Sequence, residues 1–346
     1  MTEQNYNYTL QLGHAIGTGY FSDVRFATHP IHGPVAVKVP RRLKNESDQK
    51  WAERKSELLG EAKKMQAARH KHIVAVHDVG TTADGDVHLV MEHCQGGSLM
   101  KRYSAGPIPL EDVQRIITET TLGLQALHAR DMLHRDIKPG NILLDVNGLA
   151  KLGDFGLVTD KLILGYGSQA GYNDHIAPEV WSGDTTSVRT DVWALGMTIY
   201  RLLHGEEWYS RSPAPQLIIP DGGFADSLRW LPHVPSSWRR LVRKALNDDP
   251  DSRFQNADQV INALASVQTS PAWECRVEPS VTKWTRIKDN RRLDVVWNHP
   301  SPRSHTWEAI SHPIGVGRNR KLGGSQHKLG RAEAEKQLQN FFKSCL

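Results

Sequence analysis

Between residues 8 and 39 the apolar positions come in short runs broken by glycine or proline: 8–15, 22–29 and 34–39, the last carrying Val35-Ala36-Val37. Runs of this length with period-two alternation predict strands, joined here as two hairpins. The period then changes. From residue 48 to 69 the spacing of Leu58, Glu61, Ala62, Met65 and Ala68 fits one face of a helix, with Glu61 beside Leu58 and Met65. A second helical pattern, Val260, Leu264 and Val267, ends before a Ser270-Pro271 step that disfavours continuing it. Beyond it, apolar runs at 274–277, 282–287, 293–297 and 306–310 predict three or four strands. A Gly-rich basic loop over 315–330 follows, then a closing helix from Arg331 with Ala334, Leu338, Phe341 and Phe342 on one face.

Composition narrows the class. The chain has 346 residues, of which 39% are hydrophobic, enough for two domains or one large fold with an appendage. The longest apolar stretches, such as 192–200, are about half the roughly 20 residues of a membrane helix, and no span is expected. The start MTEQNYNYTL lacks the basic and apolar regions of a secretion signal, so a cytoplasmic location is expected. Cys94, Cys275 and Cys345 are too few and too scattered for a disulfide framework or a zinc site. The formal charge of +5 is uneven: residues 271–346 carry +7 and the first 270 carry −2. No repeat of 20 to 50 residues is present.

Candidate chemistry enters at the first glycines. Gly17-Thr18-Gly19 lies between two predicted strands, where side-chain-free positions let the backbone approach a polyphosphate. Alone it is an ordinary hairpin turn, and Ser22 stands where a third glycine would complete the pattern. Lys38 closes the strand Val35-Ala36-Val37, and a lysine in an apolar setting needs an anionic partner. Glu61 on the helix is the candidate, with Glu57 its rival one turn earlier. Further along stand His134-Arg135-Asp136-Ile137-Lys138-Pro139-Gly140-Asn141, Asp154-Phe155-Gly156 and Ala177-Pro178-Glu179.

In this order the five motifs resemble the eukaryotic-type Ser/Thr protein kinase family, most like the soluble eukaryotic-like kinases of bacteria, over about residues 8–268. The resemblance implies an α+β, bilobal protein-kinase-like fold. A β-rich small lobe (about 8–91) and a mainly helical large lobe (about 95–268) would be followed by a small basic α+β domain (271–346). It also implies transfer of the γ-phosphoryl group of ATP, with Mg²⁺, to Ser or Thr hydroxyls of protein substrates, the chain itself included. By the same resemblance Asp136 accepts the hydroxyl proton and Lys138 reaches the γ-phosphate. Asn141 and Asp154 hold the metal, and Lys38, fixed by Glu61, grips the α- and β-phosphates. Gly17, Thr18, Gly19, Val24, Ala36, Met91 and Leu143 would enclose the nucleotide, with Glu92 to Cys94 as the adenine-binding edge. Asp191 would brace the catalytic loop, and Arg253 would pair with Glu179.

Two departures bear on specificity. Tyr172 stands where the family has a Thr, which leaves tyrosine or dual specificity open although Lys138 favours Ser/Thr. His175 replaces a Tyr, with surface packing the expected role and a pH sensor the alternative. Arg135 implies an activation segment ordered by phosphate, with Thr159, Tyr166, Ser168 and Tyr172 as acceptors. In the tail, Trp273, Trp284, Trp297 and Trp307 can form a small core or a stacking platform. Arg318, Arg320, Lys321, Lys328 and Arg331 could meet nucleic acid, although a solvated surface or a substrate-docking and regulatory role is preferred. Every catalytic motif lies between Gly17 and Arg253, so the tail is expected to be separable from the catalytic body. A nucleic-acid-gated kinase, a small-molecule kinase and a catalytically silent scaffold are the alternatives.

Overall fold

Alternation in the first forty residues produces three strands of one antiparallel sheet. The computed structural model of the protein describes residues 10–19, 22–44, 46–81, 87–154, 173–212 and 214–345. Strands β1 (Leu12–Thr18), β2 (Ser22–His29), β3 (Gly33–Pro40), β4 (Val76–Thr81) and β5 (Val87–Glu92) form a sheet in the order β1-β2-β3-β5-β4. β1 continues past the expected end at residue 15, because Gly17 and Thr18 still pair with Val24 and Asp23. The turn tightens at Gly19, whose N–H donates to Ser22 O at 2.8 Å. Helix α1 (Asp48–Ala67) starts where the Ser47 side chain accepts the Lys50 N–H. It turns Leu58, Ala62 and Met65 into the core, while Glu57 is exposed.

The rest of the body is mainly helical. A short sheet of β6 (Gly97–Ser98), β7 (Ile142–Leu144) and β8 (Ala150–Leu152) floors the cleft between the lobes. Helix α2 (Leu99–Ala105) leads to α3 (Leu110–His128), whose Val113, Ile116, Ile117 and Leu124 are fully buried. The apolar run at 192–200 belongs to α5 (Val188–Tyr209), which follows the short α4 (Pro178–Trp181) and begins at a Ser187/Thr190 capping box. It is buried on all sides from Thr190 to Tyr200, so its hydrophobicity serves a protein interior. Among the described residues no helix is long and apolar enough to cross a membrane. At Gly205 the backbone takes φ 71°, and a Cβ there would sit 2.5 Å from the Gly106 carbonyl carbon, so only glycine fits. Helices α6 (Pro215–Ile218), α7 (Phe224–Ser227), α8 (Ser236–Ala245) and α9 (Ala257–Ala265) complete the lobe.

The tail is a five-stranded antiparallel meander, one strand more than the upper expectation. β9 (Glu274–Val277), β10 (Val281–Lys288), β11 (Arg291–Ser301), β12 (Ser304–Pro313) and β13 (Arg320–Gly324) lie in the order β13-β12-β11-β10-β9, with α10 (Arg331–Ser344) against one face. β13 falls inside the stretch read as a loop. As an edge strand it presents mostly exposed positions and no apolar alternation, which hides it from a periodicity argument. The four tryptophans are core: Trp273, Trp284, Trp297 and Trp307 are all buried.

This core does not stop at residue 271. Trp297 packs on Trp208 of the large lobe with ring centroids 6.4 Å apart, and His233 lies 5.9 Å from Trp284 and 6.0 Å from Phe342. Arg211 donates to the Glu278 carbonyl at 2.8 Å. The tail's apolar face is shared with the body, and one hydrophobic cluster runs through both, so packing argues against the expected separability.

Buried histidines at this junction make stability pH-dependent. Burial, reinforced by the nearby Arg239 charge, lowers His233 from 6.5 to about 3, and burial likewise brings His204 to about 3. Both therefore stay neutral in the fold and bind a proton more readily when unfolded. Their contribution is intact above about pH 6.5 and is lost as pH falls toward 3, on the order of 2 kcal/mol for each by pH 5. The thermal midpoint should drop steeply between pH 6.5 and 5; a flat profile over that range would contradict the burial argument.

Candidate active site

The cleft between the lobes encloses about 780 Å³ and gathers residues separated by more than a hundred positions in sequence. Gly17, Thr18, Gly19, Val24 and Ala36 line it from the small lobe. Met91, Glu92 and Cys94 line the connecting segment, and Asp136, Lys138, Asn141, Leu143 and Asp154 the large lobe. Lys38 extends from β3 into the same space. Val74 and Met100 add apolar wall that the motifs do not signal, because they carry no residue type distinct from ordinary core.

The chemistry converges on Asp136. Its Oδ2 accepts from Lys138 Nζ at 2.8 Å and from Asn141 Nδ2 at 2.7 Å, and the same amide nitrogen reaches the Asp136 carbonyl at 2.8 Å. Two donors on one oxygen fix the carboxylate's orientation and leave its other oxygen for an acceptor group. The loop behind it is held by Asp191 at the start of α5. Asp191 Oδ2 accepts the His134 N–H at 2.9 Å, its Oδ1 accepts the Arg135 N–H at 2.8 Å, and His128 Nε2 lies 2.9 Å away. Burial alone would raise the Asp191 carboxyl, but the His128 and His134 contacts win and hold it below the usual carboxylate range. Arg135 and Asp154 adopt φ of 68° and 57°, left-handed conformations that cost free energy in non-glycine residues and concentrate at functional sites.

Lys38 Nζ lies 2.7 Å from Asp154 Oδ1. Burial pushes the Asp154 carboxyl up, and the Lys38 and Lys138 ammonium groups more than offset it, so Asp154 stays ionised. Glu61 sits on α1 as expected, but its side chain lies outside the described residues, as do Phe155, Gly156, Thr159, Tyr166, Ser168 and Tyr172. Arg135 Nε donates to Thr186 Oγ1 at 3.0 Å. Arg253 is fully buried and forms two parallel bonds to Glu179, 2.7 and 2.8 Å, the geometry of a bidentate pair.

His175 is not a surface residue. It is buried, its Nε2 lies 2.8 Å from Arg201 NH1, and its Nδ1 lies 3.4 Å from the Ala194 carbonyl. Burial and the Arg201 charge hold it well below 6.5, so it is neutral at ordinary pH and does not sense it. The expectation of surface packing rested on a lone histidine in a loop; Arg201, one turn past Met197 on α5, supplies the donor that makes burial tolerable.

One functional pair escaped the sequence argument. Lys151 on β8 is buried and lies 3.0 Å from Glu92, whose carboxylate also accepts the Ala75 N–H at 3.3 Å. Glu92 opens the segment expected to serve as the adenine-binding edge, and this pair ties that segment to the floor of the cleft. Lys151→Met would leave a half-buried carboxylate unpaired and the edge loosely held. The KM for ATP should rise about 3- to 10-fold, equivalent to roughly 1 kcal/mol, with kcat nearly unchanged. Steady-state kinetics that showed an unaltered KM would contradict it.

The donor set suits magnesium. Asp154 and Asn141 both line the cleft and each carries a hard oxygen, and no cluster of three His, Cys, Asp or Glu residues exists among the described residues. Mg²⁺ is commonly held by one or two protein oxygens together with phosphates and water, so a sparse set is the appropriate one for a metal that arrives with a nucleotide.

Comparison with known proteins agrees with this geometry. The protein kinase domain family matches residues 10–264. The chain is 28% identical over 257 residues to the serine/threonine-protein kinase PrkC of Bacillus subtilis, covering 72% of this chain and 39% of that protein. It is 31% identical over 320 residues to the serine/threonine protein kinase OSK4 of Oryza sativa, covering 90% of this chain and 60% of that protein. A third relative, the hormonally up-regulated neu tumor-associated kinase homolog A of Xenopus laevis, is 30% identical over 264 residues, 73% of this chain and 38% of its own length. The chain thus spans between about two fifths and three fifths of the length of these relatives. The chain belongs to the protein kinase family, in its eukaryotic-type serine/threonine branch.

Proposed function

We propose that the protein transfers the γ-phosphoryl group of MgATP to Ser or Thr hydroxyls of proteins, its own chain included. The observation that carries this reading is the Asp136 carboxylate, clamped by Lys138 and Asn141 beside the Lys38–Asp154 pair in a cavity large enough for a nucleotide. A carboxylate held this way can orient an incoming hydroxyl and take its proton as the oxygen attacks phosphorus. Lys138, already 2.8 Å from that carboxylate, is placed to meet negative charge as it develops on the transferred group. Lys38 supplies a fixed positive charge for the remaining phosphates, and the side-chain-free Gly17 and Gly19 let the backbone close over them. Magnesium, when bound, neutralises the phosphate oxygens; Asn141 and Asp154 are the residues that would hold it.

Ser/Thr specificity rests on Lys138, since Tyr172 lies outside the described residues. The test is transfer of labelled γ-phosphate from ATP to protein. Label on protein Ser or Thr that disappears on removing Mg²⁺ with EDTA is expected; label confined to a small molecule would overturn the reading.

A further inference from the structure

We propose that one end of the C-terminal sheet is a docking surface for the phosphate backbone of duplex nucleic acid. Register builds it. Lys288 at the end of β10 pairs with Arg291 at the start of β11, Arg291 pairs with Pro313 on β12, and Arg320 on β13 pairs with Ser311 two residues back along β12. Arg291 donates to both the hydroxyl and the carbonyl of Ser311, and a further N–H of Arg291 reaches the Arg318 carbonyl at 3.1 Å. Arg291 thus ties Ser311 of β12 to the Arg318 backbone, while Arg320 lies beside Ser311 through the strand register. Arg286, two residues before Lys288 and so on the same face of β10, is held with its guanidinium over Trp273 and near the Cys345 carbonyl at the end of α10. Strands lie about 4.8 Å apart, so the row from β10 to β13 spans roughly 14 Å, enough to meet several backbone phosphates.

The cations here lack the neutralisation seen elsewhere in the same domain. Arg292 pairs with Asp294 at 2.9 Å, Arg331 with Glu335 at 2.7 Å, and Lys283 and Lys321 with Glu278 and Glu308 at 3.5 Å. Lys288, Arg318 and Arg320 are exposed and make no ion pair among the described residues. The adjoining turn contributes one carboxylate, Asp289. The first 270 residues carry a net −2, so the excess positive charge of the chain is concentrated in this domain.

The choice of a duplex follows from what the surface lacks. Proteins that hold single strands offer aromatic side chains for bases to stack on. All four tryptophans of this domain are buried, Trp284 and Trp297 against the large lobe, so none is exposed for a base to stack on. Such a surface contacts phosphates and sugars, not base edges, and binds without sequence preference. This inference stands apart from the phosphotransfer reading, because its test reads binding and needs no ATP turnover.

Fluorescence anisotropy of the full chain with labelled RNA and DNA duplexes of about 20 base pairs tests it. With about four phosphates neutralised, affinity for either duplex should fall about 10²-fold between 50 and 200 mM salt. Charge reversal by Lys288→Glu with Arg318→Glu and Arg320→Glu should weaken binding at low salt at least about 10-fold, while Arg318→Lys with Arg320→Lys retains it. These positions are exposed, and an unchanged circular dichroism melt shows that the variants fold. Absence of duplex binding at 50 mM salt, or binding indifferent to the charge reversal, would overturn the proposal. Equal affinity for single strands or for an acidic phosphopeptide would also overturn it, because charge alone would then account for the attraction.

Discussion

Asp136→Asn is expected to lower phosphotransfer by a factor of about 10² to 10⁴ while leaving nucleotide affinity and the melting curve nearly unchanged. The substitution keeps the side chain's shape, so the packing of the loop against Asp191 through His134 and Arg135 survives. What it removes is the one carboxylate that Lys138 and Asn141 hold in place. An amide there still accepts a hydrogen bond but takes no proton, and it no longer balances the Lys138 charge. Lys38 and Asp154 contact each other and not Asp136, which is why nucleotide binding should persist. Single-turnover transfer measured beside nucleotide titration separates the two effects; near-normal transfer by the variant would show that another group takes the proton.

Removing residues 271–346 is expected to cost the protein its stability, although no catalytic motif lies there. The cut would expose Trp208 and His233, which now meet Trp297, Trp284 and Phe342, and would free Arg211 from Glu278. Burial of a large side chain contributes roughly 1.5 to 3 kcal/mol, and a protein of this kind is stable by only about 5 to 15 kcal/mol in all. Loss of two or three such contacts should therefore leave a chain that aggregates or melts at least about 10 °C lower. Differential scanning fluorimetry of the truncated and full chains checks it. In case the truncation fails to fold, Trp297→Ala in the full chain should lower the midpoint by several degrees through the same contact. Equal midpoints for the Trp297→Ala and unaltered chains would mean that the junction contributes little.

Much of the candidate site was legible because distinctive residue types stand at short spacing. Asp136, Lys138 and Asn141 fall within six positions, and the loop that carries them folds back so that all three meet at one oxygen. Asp191 and the Arg253–Glu179 pair were legible for the same reason, each flanked by a distinctive local motif. What escaped depended on contacts between distant segments. Lys151 and Glu92 are 59 positions apart, and neither residue is unusual where it stands. His175 read as exposed because its donor, Arg201, lies 26 positions on. β13 was missed because an edge strand needs no apolar face, and Gly323 is accommodated by close approach to Trp307, not by a turn: a Cβ there would lie 2.9 Å from the indole. The packing of the tail on the body was hidden on the same ground, since charge along the chain marks a boundary while contacts across it leave no sequence signal.

Mapping of phosphate sites by mass spectrometry, on the purified chain and on an added mixture of proteins after incubation with MgATP, tests the assignment most directly. Phosphoserine and phosphothreonine produced by the unaltered chain, and lost in Asp136→Asn, are the expected result. Phosphotyrosine as the main product would contradict Ser/Thr specificity, and protein free of phosphate with an intact, nucleotide-binding cleft would contradict the kinase activity itself.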